Sequence, residues 1–241
     1  MSKTLLVGCS FIETLLAQDN PFRSSIDFDR YCVLASPGSG NQAIAARTIY
    51  QLSQHRYDRV CVLWSGINRV DFPVSKALWD IYSQSSDHGY VFNCVVGSMC
   101  WYHSGGLLGS GVTSAATPKS VQQFFKTQYL DSDSNSQYLS DLTLLSVIAT
   151  QSVLEKTNID YQMAFIYDIN RTSNQEHSHG VLNQQSPLCS LVDWQKFCQF
   201  ESVYEWAKRT KKQKSDNYHP TAGGMIEWLK LAMDIDLIRE M

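Results

Sequence analysis

Residues 60–68 read VCVLWSGIN, a run of five apolar residues that stops at a serine and a glycine. A strand that is apolar at every position is covered on both faces, which is typical of a parallel sheet flanked by helices. Two similar runs precede it at 3–8 and 31–34, and residues 41–54 have the apolar spacing of a helix, with Asn41 as its expected cap. This alternation predicts right-handed βαβ units and an α/β fold.

The rest of the chain continues this pattern less regularly. Strand-like runs occur at 90–96 and 163–167, and helical spacing at 11–18, 74–84, 118–130, 138–157, 193–209 and 221–233. Glycine, serine and threonine are frequent in 97–117, which predicts a long loop or lid, and 170–190 reads as a polar loop. We therefore predict a single domain over residues 1–241, with a lid-like insertion at about 97–140.

Size and composition exclude several classes of protein. With 241 residues, 44% hydrophobic and 18% charged, the chain can bury a core and is too apolar to be disordered. Its net charge of −3 gives no electrostatic reason to bind nucleic acid or an anionic membrane. No apolar run reaches the roughly 20 residues that span a bilayer, and the N-terminal run is too short for a signal peptide. We expect a cytoplasmic protein with no nucleic-acid or membrane partner.

Three further patterns argue against metals, disulfides and nucleotides. The seven cysteines are odd in number and form no C-x-x-C pair, which indicates free thiols in a reducing compartment. The stretch EHSH at 176–179 offers an H-x-H pair without a nearby third ligand, so a polar loop is favoured over a metal site. The glycines of residues 38–40 lack the Lys-Ser/Thr of a phosphate loop. No metal and no cofactor is expected.

Residues suited to acyl transfer follow the predicted strand ends. Ser10 follows the first strand, Gly38 the second and Asn68 the third, while Asp216 and His219 stand before the last helix. The ends of parallel strands meet at one edge of an α/β sheet, where such folds bind ligands. A serine hydroxyl becomes an effective nucleophile when an imidazole takes its proton, and a carboxylate can hold that imidazole in the right tautomer. Backbone N–H groups and a side-chain amide can stabilise the resulting oxyanion.

These segments resemble the blocks that define the SGNH hydrolases, also called the GDSL-like esterases and lipases. The similar stretches are GCSF at 8–11, PGSGN at 37–41, GINR at 66–69 and DNYHP at 216–220. Their order and positions match the family over nearly the whole chain. The chain departs from the family at Cys9, where an aspartate is usual, and at Arg69, where an aspartate is common.

The resemblance implies a role for each of these residues. Ser10 is the expected nucleophile, His219 its base and Asp216 the partner that orients the base. The N–H groups of Ser10 and Gly38 and the side chain of Asn68 form the expected oxyanion hole. The implied fold is a flavodoxin-like three-layer α/β/α sandwich with a parallel sheet of about five strands. The implied activity is that of a serine esterase or deacetylase, which hydrolyses a small acyl or carbohydrate O-acetyl ester through an acyl-enzyme.

Several details of the site stay open at this stage. Gly40 lies in the same turn as Gly38 and is the alternative oxyanion donor. Arg69 puts a cation beside the oxyanion site, where it bears on substrate choice. Trp101, Tyr102 and His103 either stack on a sugar ring or pack the lid. Residues 208–214 contain five cations, which either form a solvated helix end or gather an anionic substrate.

Two other functions compete with hydrolysis. A domain of this fold can lose its chemistry and serve as a binding or assembly module, for example a virion or surface component with an assembly partner protein. The departures at Cys9 and Arg69 motivate that alternative. Transfer of a carbohydrate O-acetyl group to a sugar hydroxyl in place of water uses the same residues and is the third hypothesis.

Overall fold

The computed structural model describes residues 3–36, 38–67, 69, 71–74, 94–96, 99–103, 133–169, 182–215 and 219–239. Within it, residues 72–74, 94–96, 99–103 and 133–136 are described by their backbone. The strands are β1 (Thr4–Gly8), β2 (Tyr31–Ala35), β3 (Arg59–Trp64), β4 (Asp71–Val74), β5 (Cys94–Val96), β6 (Met99–His103) and β7 (Asp160–Phe165). The helices are α1 (Ser10–Glu13), α2 (Asn41–Gln54), α3 (Asp133–Lys156), α4 (Val203–Arg209) and α5 (Ala222–Met233).

A parallel sheet of four strands, in the order β2-β1-β3-β7, forms the centre of the described chain. Its middle strands are fully buried, from Leu5 to Val7 in β1 and from Val60 to Trp64 in β3. The sequence prediction of an α/β fold with a parallel sheet covered on both faces is confirmed for these strands. Because all four strands run the same way, the residues that follow β1, β2 and β3 share one edge of the sheet.

A second, antiparallel sheet joins β4, β6 and β5 in that order. Asp71 pairs with His103 and Cys94 with Trp101, so β6 has a partner on each side. The prediction of a loop or lid over 97–117 is therefore wrong for Met99–His103. The glycine and serine residues nearby suggest a loop, but the aromatic residues of this segment favour a strand. Pairing with β4 and β5 also supplies hydrogen-bond partners for the backbone of β6 on both sides. The predicted helix at 118–130, and 74–84 beyond Val74, lie outside the described residues.

Three predicted helices differ in extent from those in the structure. The predicted helix at 11–18 is only the short α1, and α3 begins before the predicted 138–157. The helix predicted over 193–209 is a 3-10 turn at Trp194–Lys196 followed by α4. It is interrupted because the backbone between them bonds to the sheet, where Cys198 N donates to Met163 O at 2.7 Å. Among the described residues, no helix is both long and apolar enough to cross a bilayer.

Candidate active site

Ser10 Oγ lies 2.8 Å from His219 Nε2, within hydrogen-bond distance. Ser10 is the first residue of α1 and stands two residues after the end of β1, and His219 stands three residues before α5. The two side chains come from positions 209 apart in the sequence. The structure thus brings together the hydroxyl and the imidazole on which the proposed chemistry depends.

Buried neighbours hold Ser10 at the end of β1. The carbonyl of Cys9 accepts hydrogen bonds from Ile12 N at 3.0 Å and Glu13 N at 3.2 Å, which closes the turn of α1. Cys9, Phe11 and Ile12 are fully buried, whereas Ser10 itself is partly exposed. Cys9 therefore places a buried free thiol, and not a charge, next to Ser10.

A short hairpin-like pairing positions His219. Lys214 N donates to His219 O at 2.8 Å, and Thr221 N donates to Lys212 O at 2.7 Å. The ring of Phe11 packs against the imidazole with centroids 5.2 Å apart. Because these contacts hold both the backbone and the ring of His219, the imidazole needs little further ordering before it can react.

The cap of α5 is Thr221, whose Oγ1 accepts a hydrogen bond from Gly224 N at 3.0 Å. The helix therefore has its own N-cap, two residues after His219. Asp216 itself lies outside the described residues, so its predicted contact with His219 stays a prediction.

The second loop, after β2, contains the predicted oxyanion donor Gly38. Its φ of 71° lies in the left-handed region, which a glycine adopts without steric cost. The alternative donor Gly40 is already committed, because its N–H donates to Asp71 Oδ1 at 2.8 Å. Of the two glycines, Gly38 is therefore the one suited to an oxyanion.

Asp71, at the start of β4, caps α2 from a distant part of the chain. Its Oδ2 accepts a hydrogen bond from Ala43 N at 2.8 Å, while Oδ1 accepts from Gly40 N. A carboxylate at a helix N-terminus satisfies orphan N–H groups and interacts favourably with the helix dipole. The prediction that Asn41 caps this helix is wrong.

Asn41 instead joins α2 to the end of β3 and to α3. Its Oδ1 accepts a hydrogen bond from Ser65 N at 2.7 Å, and its Nδ2 donates to Thr143 Oγ1 at 3.1 Å. The side chain is buried, so these bonds fix the loop that leads to the predicted oxyanion residue Asn68. Asn68 lies outside the described residues.

Two arginines connect the loops around the site. Arg69 Nη1 lies 3.4 Å from Ser39 O, and Arg47 Nη2 donates to Ser39 Oγ at 2.7 Å. Arg47 Nη1 also lies 3.4 Å from the carbonyl oxygen of Gly8. The end of β1, the second loop and the loop after β3, here called the third loop, are thus linked through cationic side chains.

The predicted substrate contacts Trp101, Tyr102 and His103 occupy strand β6, with side chains outside the described part of the chain. Because β6 pairs with β4, their backbone lies next to the strand whose first residue caps α2. The structure places this aromatic segment beside the second loop, and contact of its side chains with a substrate stays a prediction.

A cleft of about 610 Å³ opens at the end of β7. Its lining is mainly aromatic and acidic, and includes Tyr167, Trp194, Phe200 and Glu205. The ring of Tyr167 contacts Phe11 at a centroid distance of 5.6 Å, so the cleft is one side chain removed from the Ser10 turn.

Tyr167 is a site residue that sequence reasoning missed. Burial raises the pKa of its hydroxyl well above the usual range, although the positive charge of Arg69 acts in the opposite direction. The phenol is therefore neutral at ordinary pH. Its position two residues after the end of β7 obeys the same strand-end rule that singled out Ser10, and this was the available signal.

The basic cluster at 208–214 is partly neutralised by the fold. Arg209 forms an ion pair with Glu201, with Nη2 and Oε2 2.7 Å apart, and Lys212 forms one with Glu227. Lys208 and Arg209 stand in the last turn of α4, where cations interact favourably with the helix dipole. These contacts favour the solvated helix end over a substrate-gathering patch.

Neither a scan of protein-family models nor a search of curated proteins finds a match to this chain. In the described ranges, no group of three or more His, Cys, Asp or Glu side chains is arranged to hold a metal ion. The H-x-H stretch at 177–179 lies outside those ranges. What the site can do follows from the chemistry of its own residues.

Proposed function

We propose that this chain is a serine ester hydrolase of the SGNH type. The observation that carries the proposal is the 2.8 Å separation of Ser10 Oγ and His219 Nε2. That distance lies within the roughly 2.6–3.2 Å over which a general base can accept a proton. The parallel order β2-β1-β3-β7 supports the proposal, because it is compatible with the flavodoxin-like sheet of that family. We propose in addition that the parallel sheet has a fifth strand and that the domain is a three-layer α/β/α sandwich.

In the first half-reaction, Ser10 Oγ attacks the acyl carbonyl while His219 Nε2 takes the hydroxyl proton. The carbonyl oxygen becomes an oxyanion, which the N–H groups of Ser10 and Gly38 and the Asn68 side chain stabilise. The intermediate collapses to an acyl-enzyme, and the leaving alkoxide receives the proton from the imidazolium. Asp216 accepts a hydrogen bond from Nδ1 and keeps the imidazole in the productive tautomer.

In the second half-reaction, water replaces the alcohol. His219 takes a proton from the water as its oxygen attacks the acyl carbon, and a second oxyanion forms in the same hole. When this intermediate collapses, Ser10 regains its proton from the imidazolium and the carboxylic acid leaves. One ester and one water are consumed, and one alcohol and one acid are produced. No cofactor takes part in this sequence.

The proposed substrate is a small acyl ester, with a carbohydrate O-acetyl ester as the leading class. The cleft beside Tyr167 offers aromatic rings that suit the apolar face of a sugar and carboxylates that can accept hydrogen bonds from its hydroxyls. Arg69 and the segment of Trp101, Tyr102 and His103 are proposed as further substrate contacts.

The test is hydrolysis of p-nitrophenyl acetate by the native chain and by Ser10→Ala. Loss of a serine nucleophile typically lowers kcat on the order of a millionfold. Ser53→Ala, an exposed serine of α2, is the matched control and retains the native rate. Hydrolysis by Ser10→Ala at the native rate refutes the proposal, and a folded native chain that hydrolyses no ester favours a binding or assembly module.

A further inference from the structure

Arg47 is a buried cation behind the candidate site. Arg47 stands on α2, and only 8% of the residue is exposed. Nη2 donates to Ser39 Oγ at 2.7 Å, and Nη1 reaches the Gly8 carbonyl at 3.4 Å. Its Nε is buried and has no hydrogen-bond partner within the described part of the chain. No carboxylate of that part forms an ion pair with this guanidinium.

A charge in such a position is unfavourable for folding alone. Burial of a cation costs free energy unless charges or hydrogen bonds compensate it, and no carboxylate of the described residues is paired with Arg47. Arg59, whose Nε is also buried without a hydrogen-bond partner in the described part of the chain, has a different environment. Its Nε lies 3.6 Å from Asp160 Oδ2, and its Nη2 donates to Met233 O at 2.8 Å. Arg59 begins β3, at the edge of the sheet opposite to the site.

The two acceptors of Arg47 lie in the two segments that the proposed mechanism uses, since Gly8 ends β1 and Ser39 belongs to the second loop. Gly8 precedes the nucleophile Ser10 by two residues, and Ser39 follows the oxyanion donor Gly38 directly. One side chain therefore contacts both the end of β1 and the second loop. The positive charge faces the end of β1, where the reaction would develop its negative charge.

We propose that Arg47 is a positioning residue of the ester hydrolase. It fixes the spacing of the Ser10 and Gly38 loops and supplies a buried positive field that favours the oxyanion. This inference rests on the proposed function. A neutral ester gains little from that field, whereas the anionic intermediate gains more, so the residue acts on kcat and leaves KM nearly unchanged.

The experiment compares Arg47→Met, Arg47→Lys and Arg59→Met with the native chain. We expect Arg47→Met to lower kcat for p-nitrophenyl acetate by about 10- to 100-fold per folded molecule, less than the roughly 10²–10³ of a direct oxyanion donor. Arg47→Lys keeps the charge and recovers most of kcat. Arg59→Met loses stability but keeps the native kcat, which separates positioning from a general loss of structure. Thermal unfolding supplies the folded fraction of each variant.

If Arg47→Met does not fold, Arg47→Gln takes its place, because it keeps a donor for Ser39 and removes the charge. A native kcat in the neutral variant, or an equal loss in Arg47→Lys and Arg47→Met, overturns this inference and leaves the proposed hydrolase intact. If the native chain shows no hydrolysis that depends on Ser10, both the role of Arg47 and the proposed hydrolase are overturned.

Discussion

Asp71 accepts a hydrogen bond from Gly40 N–H at 2.8 Å, across 31 positions of sequence. This contact fixes the start of α2 to the strand that follows the third loop of the site. Because Gly38 lies two residues before Gly40, the position of the candidate oxyanion donor depends on a carboxylate outside its own loop. Stability and site geometry are therefore coupled at Asp71.

The first prediction concerns this carboxylate. Asp71→Ala leaves two buried N–H groups without their acceptor, and we expect a loss of about 2–4 kcal/mol in the free energy of unfolding. Asp71→Asn keeps one acceptor oxygen and loses less. Asp58→Asn is the matched control, because Asp58 accepts a backbone bond from Lys3 at an exposed position, and it changes stability by under about 1 kcal/mol. Urea unfolding measures all three, and native stability in Asp71→Ala contradicts the capping role.

The second prediction concerns the close approach at Gly40. A Cβ there would lie 2.9 Å from Asp71 Oδ2 and 3.0 Å from the Arg69 carbonyl oxygen, so backbone and carboxylate must move. We expect Gly40→Ala to lower the free energy of unfolding by about 1–3 kcal/mol. At Gly223 the added Cβ meets only the half-exposed ring of Phe22, so Gly223→Ala serves as the control. Equal stability of the two variants by urea unfolding would rule out the proposed clash.

The third prediction concerns alkaline pH. Burial raises the pKa of the Cys61 thiol from 9.0 to about 12. Above pH 9 the unfolded chain loses this proton while the folded chain keeps it, so the folded state binds more protons and stability falls as pH rises. For this group the slope is about 1.4 kcal/mol per pH unit until the folded thiol ionises.

Urea unfolding at pH 8, 9 and 10 with a reducing agent measures this slope. Cys61→Ala removes the thiol, so its stability falls less steeply than that of the native chain, although it starts lower because of the cavity. Tyr57, whose pKa burial also raises to about 12, contributes equally to both proteins. Parallel slopes for the two proteins would show that the thiol is not linked to folding.

The parts of the fold that could be predicted from sequence are those with a local signal. Residues 60–64 are apolar at every position, and the structure buries all of them in β3. Ser10 and His219 could be paired because their segments resemble ordered blocks of one family, although nothing local indicates that they meet. Arg47 also had a signal, since it stands three residues after the fully buried Ile44 on the same helical face.

The parts that could not be predicted depend on distant contacts. Asn41 has the chemistry of a helix cap, yet Asp71 occupies that role from a strand that no local pattern connects to α2. Likewise, β6 is a strand because β4 and β5 pair with it, and this pairing is a property of three segments together. A window of sequence around Met99 contains only part of that information.

The central claim is that Ser10 is a nucleophile activated by His219, and covalent labelling tests it most directly. The native chain is treated with a fluorophosphonate, and peptide mass spectrometry locates the adduct. His55→Ala, which removes an exposed imidazole, is the control for His219→Ala. We predict one adduct, on Ser10, formed at the native rate in His55→Ala and at least about a hundredfold more slowly in His219→Ala. A folded native chain that stays unlabelled, or an adduct at another residue, would contradict the claim.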